Sequence, residues 1–254
     1  MFDWKHIDET YIYDGTFHGL LTIAFDSYIN NEIPIKIYKE DEYEYNLLDT
    51  PRYMETDIEK AKRIFDGLIK NVSFGTLYTA YNAFLAGCKK NTELTILKYI
   101  IAAFKTGPAI NNMLAVDYVF DTIDLKNSTL FEAHRFKGLV KFRYLSNNLY
   151  YAPIHPDNNI IEHVGKHFVR RLPTQNFILH DKKRKISFVY NTKEFNIMDV
   201  PDDFVIPEFS DEEKLYQNLW KTFFKTIAIK ERTNKRLQRQ YMPKKYWQDL
   251  VEID

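Results

Sequence analysis

A basic segment at residues 221–247 offers the clearest chemistry in this chain. It holds nine Lys or Arg and a single acidic residue, Glu231, with Tyr241, Tyr246 and Trp247 set among them. Positive side chains at this density bind phosphate oxygens, and flat aromatic rings stack on exposed bases. The segment therefore predicts a nucleic-acid-binding surface; the alternative is a tail with buried aromatic and solvated basic residues. The predicted contacts here are Arg232, Arg236, Arg239, Lys244, Lys245 and Tyr246.

A second basic region, residues 131–185, contains eleven Lys or Arg and four acidic residues. Residues 1–60 have the opposite balance, with fourteen acidic and five basic residues, so the neutral total of 35 against 35 conceals two charged parts. These parts either dock on each other or leave the basic face free for nucleic acid. The predicted nucleic-acid contacts in the second region are Arg135, Arg143, His167, Arg170, Arg171, Lys182 and Arg184.

Two histidines one helical turn apart, His163 and His167, have the spacing that lets a pair share a metal ion, and His155 and Asp157 lie upstream. A metal-dependent nuclease or hydrolase is built from such residues. The pattern H-E-x-x-H is missing, however, because the glutamate precedes His163 instead of following it. We therefore predict anion binding by His167 and the arginines after it, with no metal site and no cofactor.

Other polar groups have the residue types of general acid–base catalysis. Glu132 and His134 stand beside Arg135 in the sequence, and a histidine with a nearby carboxylate is the minimal acid–base pair. Asp14 precedes Gly15, which is also the composition of an ordinary turn. The alternative for both places is a purely structural role. The candidate catalytic residues, with no role assigned among them, are Asp14, His134, Asp157, His163 and His167.

The segments that carry these side chains include both helix-like and strand-like patterns, so the predicted fold class is α+β. The chain begins with a strand–helix–strand pattern in which Thr16 caps the helix, and a helical subregion covers 41–136. A β-rich basic subregion, 137–200, reads as strand–strand–helix–strand–strand. It predicts a mixed or antiparallel sheet, which the N-terminal strand joins and against which the helices pack.

Shorter signals place the individual elements. Separate helices are expected at about 110–125 and about 128–136. Alternating residues predict the first strand of the sheet at 138–145. Residues 193–209, which include two prolines, read as a loop.

The end of the chain carries a helix start signal. Ser210 and Glu213 have the spacing of a capping box, which opens a helix with an apolar stripe. This helix and the basic tail make up the subregion 210–254. We expect the subregions to form one domain, 1–254, because few Gly or Pro residues are available for linkers.

The composition excludes several protein classes. Cys88 is the only cysteine, which excludes an internal disulfide, a CxxC zinc site and a cysteine-ligated iron–sulfur cluster and suits a reducing cytoplasm. The start, MFDWKHIDE, lacks the apolar run of a signal peptide, and no stretch approaches the ~20 apolar residues of a membrane span. No P-loop, G-x-G-x-x-G or G-x-S-x-G motif occurs. We expect a cytoplasmic protein without membrane association.

Sequence motifs along nearly the whole chain carry a family resemblance. They are YDGTFHGLLTIAF, EAHRFKGLVKFRYL, YYAPIHPD, HFVRRLP, the LHD of Leu179–Asp181 and RLQRQYMPKKYW. In these motifs the chain resembles a bacterial family of unknown function described as DNA metabolism or DNA repair proteins. Such proteins are typically encoded beside a radical-SAM protein, and a similar domain occurs fused to a uracil-DNA glycosylase-like domain. The family has no established catalytic residues, so the resemblance implies none here.

The resemblance implies a DNA-repair factor in an accessory role, because a single cysteine cannot hold the cluster of a radical-SAM enzyme. The favoured prediction is a protein that binds single-stranded or damaged DNA beside a radical-SAM or uracil-DNA glycosylase-like partner. One alternative is a DNA-processing enzyme with glycosylase-like or nuclease chemistry. Another is a protein-interaction scaffold with an acidic and a basic part.

Overall fold

The chain divides into two units, which are Met1–Leu130 (unit 1) and Phe131–Asp254 (unit 2). The boundary falls inside a long helix, Asp117–Leu139. Both units contain helices and strands, and the predicted α+β class is confirmed. The structure is a computed structural model. The residues that it describes are 4–87, 89 and 92–252, a set that leaves out the sole cysteine.

Unit 1 contains a parallel three-stranded sheet in the order β2-β1-β3, formed by β1 (Lys5–Tyr13), β2 (Glu32–Lys39) and β3 (Pro51–Met54). Helix α1 (Phe17–Asn30) crosses from β1 to β2. Thr16 caps α1 as predicted, because its hydroxyl accepts a hydrogen bond from the N–H of the third helical residue at 3.0 Å. The prediction that the N-terminal strand joins the later sheet is wrong, since β1 pairs on both sides with strands of unit 1.

Three helices of unit 1 pack around its core: α2 (Ile58–Gly67), α3 (Phe74–Phe84) and α4 (Glu93–Thr106). Helix α4 is apolar nearly all round, and its central residues are buried, as expected of a helix in the middle of a core. It ends at Gly107, whose φ of 66° lies in the left-handed region that glycine tolerates.

The two helices predicted before residue 137 are one continuous helix, α5 (Asp117–Leu139). The predicted break at Ser128 is wrong. A serine begins a helix only where the preceding backbone leaves helical geometry, and residues 117–137 contain no Pro or Gly to force that. The helix therefore runs 23 residues and reaches into the predicted strand 138–145.

Unit 2 contains a mixed five-stranded sheet in the order β4-β5-β6-β7-β8, with β5 and β6 parallel and the other pairs antiparallel. Helix α6 (Ile161–Arg171) crosses from β5 to β6, which confirms the predicted strand–strand–helix–strand–strand order. The strands are β4 (Arg143–Tyr144), β5 (Tyr150–Ile154), β6 (Phe177–Asp181), β7 (Ile186–Tyr190) and β8 (Phe195–Asp199).

Two strands of this sheet differ from prediction. The expected strand 138–145 is reduced to β4, because α5 continues through Leu139. The expected loop 193–209 contains β8, which pairs with β7 along its whole length. Every residue of β8 is exposed, so it lacks the apolar-inward alternation that makes a strand visible in sequence.

Close packing between α6 and the sheet depends on one small residue. A Cβ on Gly165 would lie 2.3 Å from the ring of Phe188, a distance no real contact allows. The absence of a side chain therefore lets α6 approach β7. The core of unit 2 forms between these elements and includes Val164, Phe168 and Phe177.

The chain ends with two helices, α7 (Asp211–Ile227) and α8 (Lys235–Tyr241). Half of the predicted capping box is present: the Ser210 hydroxyl accepts a hydrogen bond from the N–H of Glu213 at 3.1 Å. The Glu213 carboxylate instead accepts from the N–H of Tyr144 at 3.0 Å, which ties α7 to β4. No helix in the described part of the chain combines the length and apolarity needed to cross a bilayer.

Candidate nucleic-acid interface

Between residues 232 and 244 of the basic segment, five basic side chains are exposed and have no acidic partner in the described part of the chain. Among the described residues, no carboxylate lies within ion-pairing distance of any of them. Three of them sit on α8, and two of these three, Arg236 and Arg239, are one turn apart on the same side of the helix. Exposed cations without acidic partners attract phosphate. The five are Arg232, Lys235, Arg236, Arg239 and Lys244.

Lys245, the next residue, has a different environment. Its ammonium lies 3.1 Å from Oε1 of Glu132 and also contacts the carboxylate of Asp157. Partial burial alone would lower the pKa of Lys245, but the hydrogen bonds to Asp157 and Glu132 outweigh burial and raise it. Lys245 is therefore charged and already paired with two carboxylates of the protein, so a phosphate contact by Lys245 would require these pairs to open.

Glu132 is the centre of the polar group around Lys245. Its side chain is buried, and it accepts hydrogen bonds from the backbone N–H groups of Asp157 (3.1 Å) and Asn158 (2.7 Å). The Asn158 side-chain amide donates a further bond at 2.9 Å. Every lone pair of this buried carboxylate is thus used, as a buried charge requires. Glu132 is an organising residue that joins α5 to the tail.

Arg184 extends this group from the second hairpin. It donates to the buried carboxylate of Asp181 at 3.0 Å and to the carbonyls of Pro156 (3.2 Å) and Asp157. Burial raises the pKa of Asp181, and Arg184 opposes that shift. Arg184 is therefore a structural residue in this conformation. We call Glu132, Asp157, Asp181, Arg184 and Lys245 the anchor cluster.

The aromatic residues of the basic segment are also divided. Tyr246 is buried, with its ring edge-on to Phe136 at a centroid distance of 5.3 Å. The indole N–H of Trp247 donates to the carbonyl of Met242 at 2.9 Å. Trp247 is half-buried, and Tyr246 keeps so little exposed surface that base stacking by Tyr246 is not possible without rearrangement. Tyr241 is 73% exposed, so Tyr241, rather than the predicted Tyr246, is the ring of this segment that is open to stacking.

A second electropositive group lies on α6. Burial, followed by Lys137, Arg171 and Arg170, lowers the pKa of His167. Burial is also the main cause of the lowered pKa of His163, and Lys137 adds to it. Cations that disfavour protonation of a histidine also favour an anion nearby. Arg170 and Arg171 are exposed, so anion binding at His167, Arg170 and Arg171 stays a prediction that this geometry permits.

The basic hairpin tip offers less free charge than its sequence indicates. Lys183 lies 3.4 Å from Asp157, and Lys185 pairs with Asp202 at 2.5 Å. Lys182 is exposed, and within the described residues it has no carboxylate partner. Lys182 is therefore the tip residue best placed to contact a phosphate.

Comparison with known proteins identifies the family but no function. The model of a domain family of unknown function, DUF4130, matches residues 90–252. The chain belongs to the DUF4130 family. No curated protein and no solved structure matches it. The matched region includes all of unit 2, apart from its last two residues, and therefore both electropositive groups.

The DUF4130 region also contains an acid–base arrangement that differs from the predicted one. His134 is exposed, while Glu132 points into the anchor cluster, so the structure does not form a Glu132–His134 pair. Instead, Nδ1 of His155 lies 2.9 Å from the carboxylate of Asp249. These residues are 94 positions apart, and no sequence spacing signals the contact.

A second pair lies beside the first. The Tyr151 hydroxyl is 2.8 Å from Nδ1 of His180, and burial raises the pKa of Tyr151 to about 12. Burial, then Lys182 and His155, lowers the pKa of His180. Both histidines stand at the carboxyl ends of the parallel strands β5 and β6.

Arg143 lies next to these histidine pairs rather than on an open surface. It donates to the backbone carbonyl of Asp249 at 3.3 Å and lies over the ring of Phe209. Its Nε is buried without a hydrogen-bond partner among the described residues. Arg143 therefore holds the backbone at Asp249 in place. A phosphate contact by Arg143 stays a prediction.

Two further candidates, Asp14 and His163, also have their surroundings defined. Asp14 lies outside the DUF4130 match and accepts hydrogen bonds from Thr16 (2.9 and 2.8 Å) and from the Thr56 hydroxyl (2.7 Å). Burial would raise the pKa of Asp14, but these bonds lower it. Its bonds are those of a turn. Within the described residues, no three His, Cys, Asp or Glu side chains gather as a metal ion requires, at His163 or elsewhere.

Proposed function

We propose that this protein binds DNA through the basic segment of unit 2 and acts in DNA repair or DNA metabolism. One observation supports the binding step: five Lys or Arg side chains between 232 and 244 are exposed without a described acidic partner. Phosphates can neutralise them without breaking an existing contact, so binding gains the Coulomb attraction and the release of counterions. The role in repair rests on the family resemblance alone.

A salt titration of DNA binding tests this proposal. Labelled single-stranded and duplex DNA, plain and uracil-containing, would be titrated by fluorescence anisotropy at about 50 and 200 mM salt. Five phosphate contacts predict a loss of affinity of about 10²- to 10³-fold over this range. Arg236→Ala/Arg239→Ala should weaken binding and reduce the salt slope by about 2.

A matched control removes two charges elsewhere. Lys62 and Lys70 of unit 1 are exposed, and neither has an ion-pair partner among the described residues. Lys62→Ala/Lys70→Ala changes the net charge as much as the test variant does, so it should leave affinity nearly unchanged. Equal loss in both variants would mean that net charge alone, not the basic segment, attracts DNA. No binding at low salt would refute the proposal and favour the scaffold alternative.

The partner proposed for this role is the radical-SAM or glycosylase-like protein that the family resemblance implies. With one cysteine, this protein cannot hold the iron–sulfur cluster of a radical-SAM enzyme itself, so its part would be to position DNA for such an enzyme. Co-expression with a radical-SAM protein of the kind typically encoded beside members of the family that the chain resembles, followed by size-exclusion chromatography, would test the pairing. Separate elution of the two proteins, with and without DNA, would refute it.

A second candidate function, a DNA-processing enzyme, is favoured by the His155–Asp249 contact. A carboxylate only accepts hydrogen bonds, so Nδ1 of His155 carries the proton and Nε2 of the neutral ring is left as a base. This is the orientation of a general base. Release of uracil or strand cleavage by the wild type, lost in Asp249→Asn while DNA binding persists, would support it. Equal product with Asp249→Asn would refute it.

A further inference from the structure

A pocket of about 280 Å³ opens in unit 2 between the end of α5 and the end of α8. Its volume lies just below that of typical ligand pockets, which start at roughly 300 Å³, and suits one flat ring system. All of its walls belong to unit 2. The lining residues are Arg135, Gly138, Leu139, Tyr241, Met242 and Tyr246.

The walls supply both stacking and hydrogen bonding. Tyr241 is largely exposed and presents its ring at the pocket. The guanidinium of Arg135 lies 4.7 Å from the ring centre of Phe131 and 5.8 Å from that of Tyr246, which holds its plane in place. No described carboxylate pairs with Arg135, so its N–H groups remain available to acceptors.

We propose that this pocket binds an unpaired nucleobase. The base would stack on Tyr241, and Arg135 would donate to the carbonyl oxygen or ring nitrogen at the edge of the base. This inference rests on the proposed function. Arg236 and Arg239 precede Tyr241 on the same helix, so phosphate contacts and a base contact would follow one another along a single strand.

Gly138 makes a direct test possible. It lies in the last turn of α5, and a Cβ built there meets no atom within 4 Å. Gly138→Leu should therefore fill the pocket without disturbing the fold. Gly75→Leu is the matched control, because Gly75 is an exposed helical glycine of unit 1 whose Cβ would make only an ordinary contact, at 3.6 Å.

The readout is anisotropy with a short single strand, the same strand made abasic, and the matching duplex. Gly138→Leu and Tyr241→Ala should each weaken single-strand binding about 5- to 150-fold, the range for loss of one stacked base. Both should leave abasic-strand and duplex binding nearly unchanged. Arg236→Ala/Arg239→Ala should weaken all three, which separates backbone contacts from base contacts.

Three results would overturn the pocket proposal. If the wild type binds DNA but Gly138→Leu and Tyr241→Ala keep its full preference for unpaired bases, the pocket proposal fails and the proposed function stands. If these variants weaken duplex and single strand equally, the pocket contacts the backbone instead. If the wild type binds no DNA, both proposals fail together.

A different observation concerns α7, whose apolar side chains are exposed in the described part of the chain. Leu215, Leu219, Phe223 and Ile227 are 52–59% exposed and follow one another at every fourth position. No residue of α7 is buried in the described structure. A single helix of this length is marginal in water unless its apolar face is packed. The face therefore needs a partner.

We infer that the partner is α7 of a second copy, packed antiparallel. The first turn of α7 is acidic, with Asp211 and Glu212, and Lys225 lies in the last turn. Antiparallel pairing about Leu219, the midpoint of the helix, sets each acidic end beside a basic end and Leu215 against Phe223 of the second copy. Seven large side chains of α7 are 39–66% exposed, namely Leu215, Tyr216, Leu219, Trp220, Phe223, Phe224 and Ile227. Together they present on the order of 700 Å², close to the ~800 Å² per partner of a stable interface.

Charge reversal tests this pairing. Sedimentation should show a dimer that becomes monomeric in Leu219→Glu, while Phe120→Glu, at an exposed apolar position of unit 1, changes nothing. Glu212→Lys and Lys225→Glu should each weaken the dimer, and a mixture of the two should recover it as a heterodimer. A monomeric wild type at every concentration, or no recovery in the mixture, would overturn the inference.

Discussion

The anchor cluster and the stretch from Arg232 to Lys244 lie in the same unit and both contain basic side chains, but they use positive charge differently. In the anchor cluster, Lys245 faces Glu132 and Arg184 faces Asp181, and both carboxylates are buried. Along the other stretch, the described residues bring no carboxylate to any Lys or Arg. Within one basic segment, Lys245 thus stabilises the fold, while its neighbours from Arg232 to Lys244 keep their positive charge available to a ligand.

The comparison shows that partners, rather than charge counts, separate structural from available cations. A cation beside a buried carboxylate is required by that carboxylate, since an unpaired buried charge costs several kcal/mol (roughly 3–5). Cations without partners repel one another and are stabilised by any phosphate that approaches. Substitutions in the anchor cluster should therefore change stability, and substitutions in the stretch Arg232–Lys244 should change DNA affinity.

The largest effect on stability should come from Glu132→Ala. The change removes the acceptor of Lys245 and of the N–H groups of Asp157 and Asn158. We expect the free energy of unfolding to fall by about 3 kcal/mol, because these buried donors lose their partner. Urea denaturation followed by circular dichroism measures this.

A surface ion pair is the control for Glu132→Ala. Glu162 and Lys166 pair within α6 at 2.5 Å, and both are partly exposed. Glu162→Ala should cost no more than about 0.5 kcal/mol. Similar losses for Glu132→Ala and Glu162→Ala would show that burial does not distinguish the anchor cluster.

Lys245→Ala should mainly lower stability, whereas Arg239→Ala should mainly lower DNA affinity. Lys245→Ala leaves Glu132 without its ammonium partner and should lower the free energy of unfolding by about 2 kcal/mol. Arg239→Ala breaks no described contact, so stability should stay within about 0.5 kcal/mol while DNA affinity falls. Denaturation and anisotropy on both variants would test this division. A stable Lys245→Ala with weakened DNA binding would instead assign Lys245 to the interface.

Sequence reasoning succeeded where the determining contacts are local. The caps at Thr16 and Ser210 depend on residues three positions away, and both were predicted correctly. The partners of Lys245 lie 88 and 113 positions away, and no pattern announces them. For the same reason, the sequence alone could not tell that Tyr246 is buried while Tyr241 is exposed, because the contacts that bury Tyr246 come from distant parts of the chain.

The histidines of unit 2 offer a test of smaller amplitude. His163, His167 and His180 all have pKa values lowered from about 6.5, with burial as the main cause. The unfolded chain therefore binds protons more readily than the folded chain. The contribution of the three histidines to the free energy of unfolding is therefore fully present above pH 6.5. It is lost as the pH falls through the lower pKa values of the folded state. Thermal unfolding should shift to lower temperature between pH 7 and pH 5.

DNA should change one of these pKa values selectively. A phosphate at Arg170 and Arg171 would offset the cations that lower the pKa of His167, so that pKa should rise when DNA is bound. The cations that lower the pKa of His180 do not include Arg170 or Arg171, so a phosphate at those two arginines should change the pKa of His180 less. NMR titration of the histidine ring signals with and without an oligonucleotide measures both. A constant His167 pKa would place the DNA away from α6.

The smallest effect should come from Lys183→Ala, although Lys183 pairs with the same Asp157 that Lys245 contacts. The Lys183–Asp157 distance is 3.4 Å, and both side chains are more than 40% exposed, so water screens their attraction. We expect a change within about 0.5 kcal/mol by urea denaturation. A loss as large as that of Lys245→Ala would mean that Asp157, rather than buried Glu132, carries the anchor cluster. The small value expected for Lys183 follows from the rule that separates the two regions: a cation stabilises this fold to the extent that its carboxylate is shielded from water.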